Sequence, residues 1–318
     1  MEQIVRKIAN KIFPDKRLRS IEDKGLIIKR NFLMNFADGE KYFVKFNVRN
    51  EWSNLKHEEN VIKVFENNDI PVPPLIFHDE TNFISPYPYI IQKQISGLKL
   101  SDIYYSDEYD FEKIFESVGV YYSKIHSVKN DVSGLWSLDE YTERRFPISP
   151  VKYMYDSEIS RGSGFELLKK GVIPVSLYEK IDRVWSESIE YLEQSDVTMI
   201  HASAFLWNVY VDISNENEVY VSKVTSLGDV MWWDPMWDVA TLLFPPFFEM
   251  NEKNINSFIR GYGNEIEYKK VYIYGVMQTV SALNGIYMEP KSVRKENWKK
   301  LAIERINGFL DKIEVLSR

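Results

Sequence analysis

Between Met199 and Phe244 the chain reads MIHASAFLWNVYVD, a polar turn SNENE, VYVSKVTSLGDV and then MWWDPMWDVATLLF. That order is a strand entering a loop, a hairpin, a second acidic loop and a helix start. Polar residues interrupt it at irregular positions: His201, Ser203, Asn208, Ser226, Asp229, Asp234 and Asp238. Polar groups gathered in an apolar stretch are costly unless they pair or serve chemistry. The segment is therefore the expected seat of function, and the rest of the chain has to fold so as to present it.

A chain of 318 residues has the material for one bilobal unit or two domains around a large core. Its net charge of −7, from 47 acidic and 40 basic residues, lacks the basic field of a general nucleic-acid binder. An acidic surface is compatible with a small cationic substrate. There is no cysteine, which excludes disulfides, thiolate catalysis and cysteine-held metals. The first twenty residues, MEQIVRKIANKIFPDKRLRS, read as a short amphipathic helix without the apolar core or cleavage site of a signal peptide. No run approaches the roughly 18 apolar residues of a membrane span. The expected compartment is the cytoplasm, with neither membrane nor nucleic acid as partner. Trp232, Trp233 and Trp237 crowd the acidic loop and are expected to pack rather than form a substrate platform.

Strand-like segments, Gly25–Arg30 and Asn31–Phe36, precede an Asp38-Gly39 hairpin turn and the strand EKYFVKF, 40–46. Lys45 sits mid-strand between apolar neighbours. Residues 51–68 form a helix whose apolar stripe is Leu55, Ile62 and Phe65, and Glu58 lies on that same stripe. A carboxylate on a buried helix face needs a cation, and Lys45 is the nearest candidate in sequence. IPVPP at 70–74 breaks the helix, and a further strand pair ends in PYPYIIQKQISG with Gly97. Helical patterns then dominate, notably 110–128, carrying His126 as a packed or capping residue, pieces around Pro150–Leu168, and 175–194. Three more helices follow the central segment.

This order of residues resembles the aminoglycoside phosphotransferase and choline kinase family, a branch of the protein-kinase-like fold. The resemblance implies a bilobal α+β architecture: a small N-terminal β-sheet lobe with one helix, 1–94, and a larger, mainly helical lobe, 95–318, holding the acceptor pocket. It implies that Lys45 holds nucleotide phosphates, that Glu58 orients Lys45, and that the backbone of Lys93 and Ile95 in YIIQKQISG binds the base. ATP or GTP with Mg²⁺ are the implied cofactors. In the larger lobe the family pattern His-Gly-Asp-x-x-x-x-Asn aligns with His201-Ala202-Ser203 and Asn208. The pattern Asp-Pro-x-x-Asp-Leu-Ala aligns with Asp234-Pro235-Met236-Trp237-Asp238-Val239-Ala240.

The departures fall on the working carboxylates. Ser203 stands at the position of the catalytic Asp, and Ser226 at that of the Asp that binds Mg²⁺; the glycine before the first has become Ala202. A serine hydroxyl is no base near neutral pH, and losing a general base costs about 10²–10⁴ in rate. Of the metal-binding pair only the neutral Asn208 survives, with Asp229 as the one nearby carboxylate able to substitute. His201, Asp234 and Asp238 are expected to orient and cap the loop. A Ser-His-Asp hydrolase built on Ser203 and His201 lacks the Gly-x-Ser-x-Gly elbow. The expected function is a catalytically impaired homologue of phosphotransferases acting on hydroxyls of aminoglycosides or amino alcohols. The alternatives are a non-enzymatic ligand-binding or regulatory pseudokinase with a protein partner, and an active enzyme that recruits Asp229 for metal.

Overall fold

Pro14 decides the first boundary. A residue before proline is pushed out of the α region, and Phe13, at φ −123° and ψ 61°, closes helix α1 (Glu2–Ile12). The helix expected across the first twenty residues is thus shorter, and its last residues begin strand β1 (Leu18–Asp23). The structure, a computed structural model of the chain, describes residues 1–25, 30–48, 55–131, 133–135, 149–213, 218–288 and 295–318. The expected strand at Gly25–Arg30, the first residues of the 51–68 helix and the polar turn at 214–217 lie largely or wholly outside the described residues.

Strands β2 (Arg30–Phe36), β3 (Lys41–Phe46), β4 (Leu75–Asp79) and β5 (Tyr89–Lys93) join β1 in an antiparallel five-stranded sheet of order β1-β2-β3-β5-β4. The hairpin between β2 and β3 turns at Gly39, whose φ of +89° is one glycine adopts without strain. Val5, Ile8 and Ala9 of α1 pack with Phe32, Met34, Val44 and Tyr89 of this sheet in a dry core. Helix α2 (Leu55–Asn67) buries Leu55, Glu58, Ile62 and Phe65, the stripe read from the sequence.

The remaining strands are short. β6 (Leu98–Lys99), β9 (Val209–Ile213) and β10 (Val219–Val224) form a second sheet, and β7 (Gly134–Leu135), β8 (Thr198–Ile200) and β11 (Met231–Trp233) a third. The helices that follow α2 are α3 (Leu100–Ile103), α4 (Phe111–Ser127), α5 (Pro150–Met154), α6 (Ser163–Lys169) and α7 (Val175–Glu193). They continue as α8 (Met236–Leu243), α9 (Glu252–Tyr262), α10 (Tyr268–Met288) and α11 (Lys295–Leu316). Among the described residues no helix is long and apolar enough to cross a membrane.

Two compact units result. One comprises Met1–Leu98 with Tyr210–Gly228; the other comprises Lys99–Val209 with Asp229–Arg318. The hairpin β9–β10 therefore returns to the N-terminal unit, and Ser203 and Ser226 fall in different units. In the helical unit α4 lies against α9 and α10 packs with α8 and α11. The α4–α9 contact is backbone to backbone: a Cβ on Gly119 would run into the Phe258 carbonyl, and one on Gly261 into the Glu116 carbonyl.

Candidate functional site

The loop after β8 is held by one carboxylate. Asp238, fully buried on the first turn of α8, accepts the backbone N–H of His201 through Oδ2 at 2.6 Å and that of Ala202 through Oδ1 at 2.9 Å. His126 at the end of α4 donates from Nε2 to the same Oδ2 at 3.2 Å, which leaves Nδ1 to accept the Tyr262 hydroxyl at 2.8 Å. The two helices packed through Gly119 and Gly261 are thereby tied to Asp238, and Asp238 to the loop. His126 is packed, as expected.

His201 is fully buried, with Nδ1 3.1 Å from the Tyr122 hydroxyl, whose proton burial holds well beyond its usual pH range. It orients the loop. Ala202 sits at φ +59°, a left-handed conformation natural to the glycine of the family pattern. Its carbonyl accepts Trp237 Nε1 at 3.2 Å, while the Ser203 carbonyl accepts the Asn208 amide at 2.9 Å. The Ser203 hydroxyl donates to Asp229 Oδ2 at 2.6 Å, so Asp229 is the carboxylate brought to the position where the family pattern has its base.

Asp234 caps α8 by accepting the Met236 N–H at 2.9 Å; its other oxygen takes Ser195 Oγ at 2.5 Å and the Tyr274 hydroxyl at 2.9 Å. Burial raises its carboxyl pKa despite Lys270 at 3.8 Å. Trp233 is packed against Trp237 with ring centroids 5.0 Å apart.

In the N-terminal unit, Lys45 Nζ meets Glu58 Oε2 at 2.5 Å, the pair the sequence pattern calls for. Gly228 backs against this glutamate: a Cβ added there would lie 3.2 Å from Glu58 Oε1, a tight contact. Ser226 stands two residues earlier at φ +66°. The hinge backbone is more fully engaged than the resemblance implies. The Lys93 amide donates to the Pro74 carbonyl at 3.0 Å, and its side chain pairs with Glu40 at 2.8 Å. The Ile95 carbonyl accepts Lys223 Nζ at 2.7 Å.

Lys223 was not singled out in the sequence, although a lysine inside VYVSKV carries the same mid-strand signal as Lys45. It is only 6% exposed, and its ammonium lies 4.5 Å from the Tyr210 ring centroid. Burial depresses its pKa. Among the described residues no carboxylate pairs with it.

The donor set does not fit a tightly held Mg²⁺. Ser226 and Asn208 are neutral, the Asp229 carboxylate already accepts Ser203, and no three His, Asp or Glu side chains among the described residues are grouped to hold an ion. Mg²⁺ favours anionic oxygens in octahedral array, which these groups do not supply.

The helical unit also forms a cleft of about 680 Å³ beside this loop, open to solvent on one side and lined by Phe205, Trp207 and Trp237 and by residues of later helices. Its lining was invisible in sequence because it is gathered from segments far apart in the chain.

Comparison with solved structures gives close overlap at low identity. An aminoglycoside phosphotransferase, APH(4)-Ia, in ternary complex with AMP-PNP and hygromycin B matches with TM-score 0.66 and 15% identity, covering 96% of this chain and 98% of that one. APH(2")-IIia with GDP and kanamycin matches with TM-score 0.64 and 13% identity over 97% and 98%. ADP-bound APH(2'')-Ib matches with TM-score 0.60 and 14% identity over 97% and 96%. At such identities the likeness shows the α+β, kinase-like fold. No curated protein matches by sequence. The profile of the phosphotransferase enzyme family matches residues 23–274, from within β1 into α10 and across both units, and the chain belongs to that family.

Proposed function

We propose that this protein is a catalytically impaired small-molecule phosphotransferase that keeps a nucleotide site and a ligand site but lacks efficient transfer. The observation that carries the reading is Ser203: a neutral hydroxyl at the base position, inside a loop whose frame of Asp238, His201, Asn208 and Trp237 is intact. Phosphoryl transfer depends on positioning and on neutralising negative charge. The loop still positions; neutral serines stand at the base and metal positions.

In this reading Lys45, oriented by Glu58, holds nucleotide phosphates, and the hinge around Lys93 and Ile95 receives the base. Nucleotide complexes of the structural neighbours, with AMP-PNP, ADP and GDP, support it. The test is thermal unfolding with ATP and with GTP, each with and without Mg²⁺, beside a phosphate-transfer assay. A nucleotide-dependent rise in midpoint without turnover is expected. Turnover at ordinary kinase rates of about 1–100 s⁻¹ would overturn the impairment.

One observation favours a second reading. Asp229 reaches the Ser203 hydroxyl at 2.6 Å, so a carboxylate is present one hydrogen bond behind the base position. An enzyme that uses it would transfer phosphate and lose that activity in Asp229→Asn. Transfer that survives the substitution eliminates this alternative.

A further inference from the structure

The structural neighbours hold kanamycin and hygromycin B, sugars that carry several amines. The cavity of the helical unit is built for something else. Its volume of about 680 Å³ suits a drug-sized organic molecule. One wall is a run of linked rings. Phe205 stacks on Trp207 at 4.5 Å between centroids, Trp207 on Phe247 at 6.1 Å, and Trp298 meets Phe247 edge-on at 4.9 Å. Phe247 is held at φ +70°, a conformation a bulky L-residue adopts only when its surroundings impose it. That backbone setting places its ring between the two tryptophans.

Charge is nearly absent. Among the described lining residues Glu158 alone is ionisable, and its Oε2 already accepts Ser163 Oγ at 2.8 Å and Ser281 Oγ at 2.5 Å. In a molecule with several ammonium groups, those facing the indole and phenyl wall would lose part of their water with one carboxylate in return, a cost the lining does little to offset. A single cation over aromatic faces is attracted by the ring quadrupoles.

The cavity also has one open polar contact. Gln278, 7% exposed, lines it and donates from Nε2 to the Trp237 carbonyl at 2.9 Å, while its Oε1 has no partner among the described residues. A buried amide oxygen without a partner is the place where a ligand donor gains most.

We infer that this cavity receives a bulky, mostly apolar alcohol carrying at most one positive charge, its donor set against Gln278 Oε1, and that it rejects polycationic amino sugars. The inference rests on the phosphotransferase reading only in taking the cavity as the acceptor site; the ligand class is argued from the cavity itself.

Trp207, Trp237 and Trp298 make intrinsic fluorescence the direct readout. The probes are benzyl(2-hydroxyethyl)dimethylammonium, its methyl ether, and kanamycin, titrated against the full chain. The alcohol should bind at least tenfold tighter than kanamycin and severalfold tighter than the ether. Trp207→Ala and Trp298→Ala, at half-buried positions, should each weaken it tenfold or more. Gln278→Met should erase the preference for alcohol over ether. Kanamycin binding as tightly as the alcohol, or affinities unmoved by both tryptophan variants, overturns the inference. Far-ultraviolet circular dichroism reports that the variants are folded, and nucleotide shifts are measured on the same samples. They also separate the two readings: a shift with ADP but no response to the alcohol sinks only the ligand assignment, and the converse sinks only the nucleotide site.

Discussion

Lys223 is the residue whose chemistry departs furthest from its surroundings. It is buried on β10 with a carbonyl and a ring for company, and burial lowers its pKa below the ordinary 10.5. A lysine depressed in the fold gives up its proton there before it does in the unfolded chain. Its penalty is full below the folded pKa and vanishes above 10.5. The stability of the wild type relative to Lys223→Met should therefore rise as pH rises from neutrality toward 10.5, which urea unfolding across that range measures. A flat difference would mean that the ammonium is as well solvated in the fold as outside it. Ala202 is a second local misfit. A Cβ at φ +59° costs about 1–2 kcal/mol against glycine, offset in part by the greater freedom of glycine when unfolded. Ala202→Gly should thus stabilise the chain by about 0.5–1 kcal/mol, seen as a higher denaturation midpoint. At this scale the sequence was informative where a motif spacing existed. Lys45 and Glu58, or Asp234 and Asp238, declare themselves by position on a strand or helix. Phe247 and Gln278 do not, because a backbone angle and an unpartnered oxygen leave no pattern in the string of residues.

Among elements, the α4–α9 pair matters most to the loop. Its backbones meet at Gly119 and Gly261, and the same two helices supply His126 and Tyr262, which brace Asp238. Gly119→Ala puts a methyl against the Phe258 carbonyl and the Tyr262 amide. Overpacking against rigid backbone costs about 1–3 kcal/mol, so the variant should lose stability in that range in denaturant unfolding. Gly308→Ala on α11 is the control, since nothing lies within 4 Å of its added methyl; it should gain up to about 1 kcal/mol from helix propensity. Equal effects at both positions would contradict the close contact. Periodicity reached the long helices, such as 175–193 and 111–127, and their limits fell within a residue or two of the expected ones. It failed at the N-terminus, where charged residues after Pro14 continue an amphipathic look into what is β1. There the proline, not the pattern, decides.

For the molecule as a whole, the residues that the proposed reading assigns to phosphoryl transfer are divided between the two units. The lysine–glutamate pair and Ser226 belong to one, and the loop with Ser203, Asn208 and Asp229 to the other. On the proposed reading, Ser203→Asp with Ser226→Asp should supply the base and the metal carboxylate together. Transfer to a hydroxyl acceptor that fits the aromatic cavity is the expected result, measured against each single change. Either single change should gain little, because a base without charge neutralisation, or the reverse, leaves one requirement unmet. Silence in the double variant would contradict the reading that the two serines are what prevents transfer. The order of motifs along the chain was enough to expect this fold. Its division was less legible, because the return of 210–228 to the N-terminal unit is a property of packing and not of any single boundary in the chain.

The grip of Asp238 on two consecutive amides also has a consequence in time. Loop N–H groups ordinarily trade their hydrogens with water through small, frequent openings, while those of a core element wait for larger ones. The amides of His201 and Ala202 are bonded to a carboxylate that is itself fully buried and braced by His126. Their exchange should be as slow as that of the interior of α10, although both lie in a loop. Asp238→Ala should release them to the fast rates of their neighbours, as deuterium uptake at single-residue resolution would record. A loop with serine at its third position would then exchange on the timescale of the core that holds it.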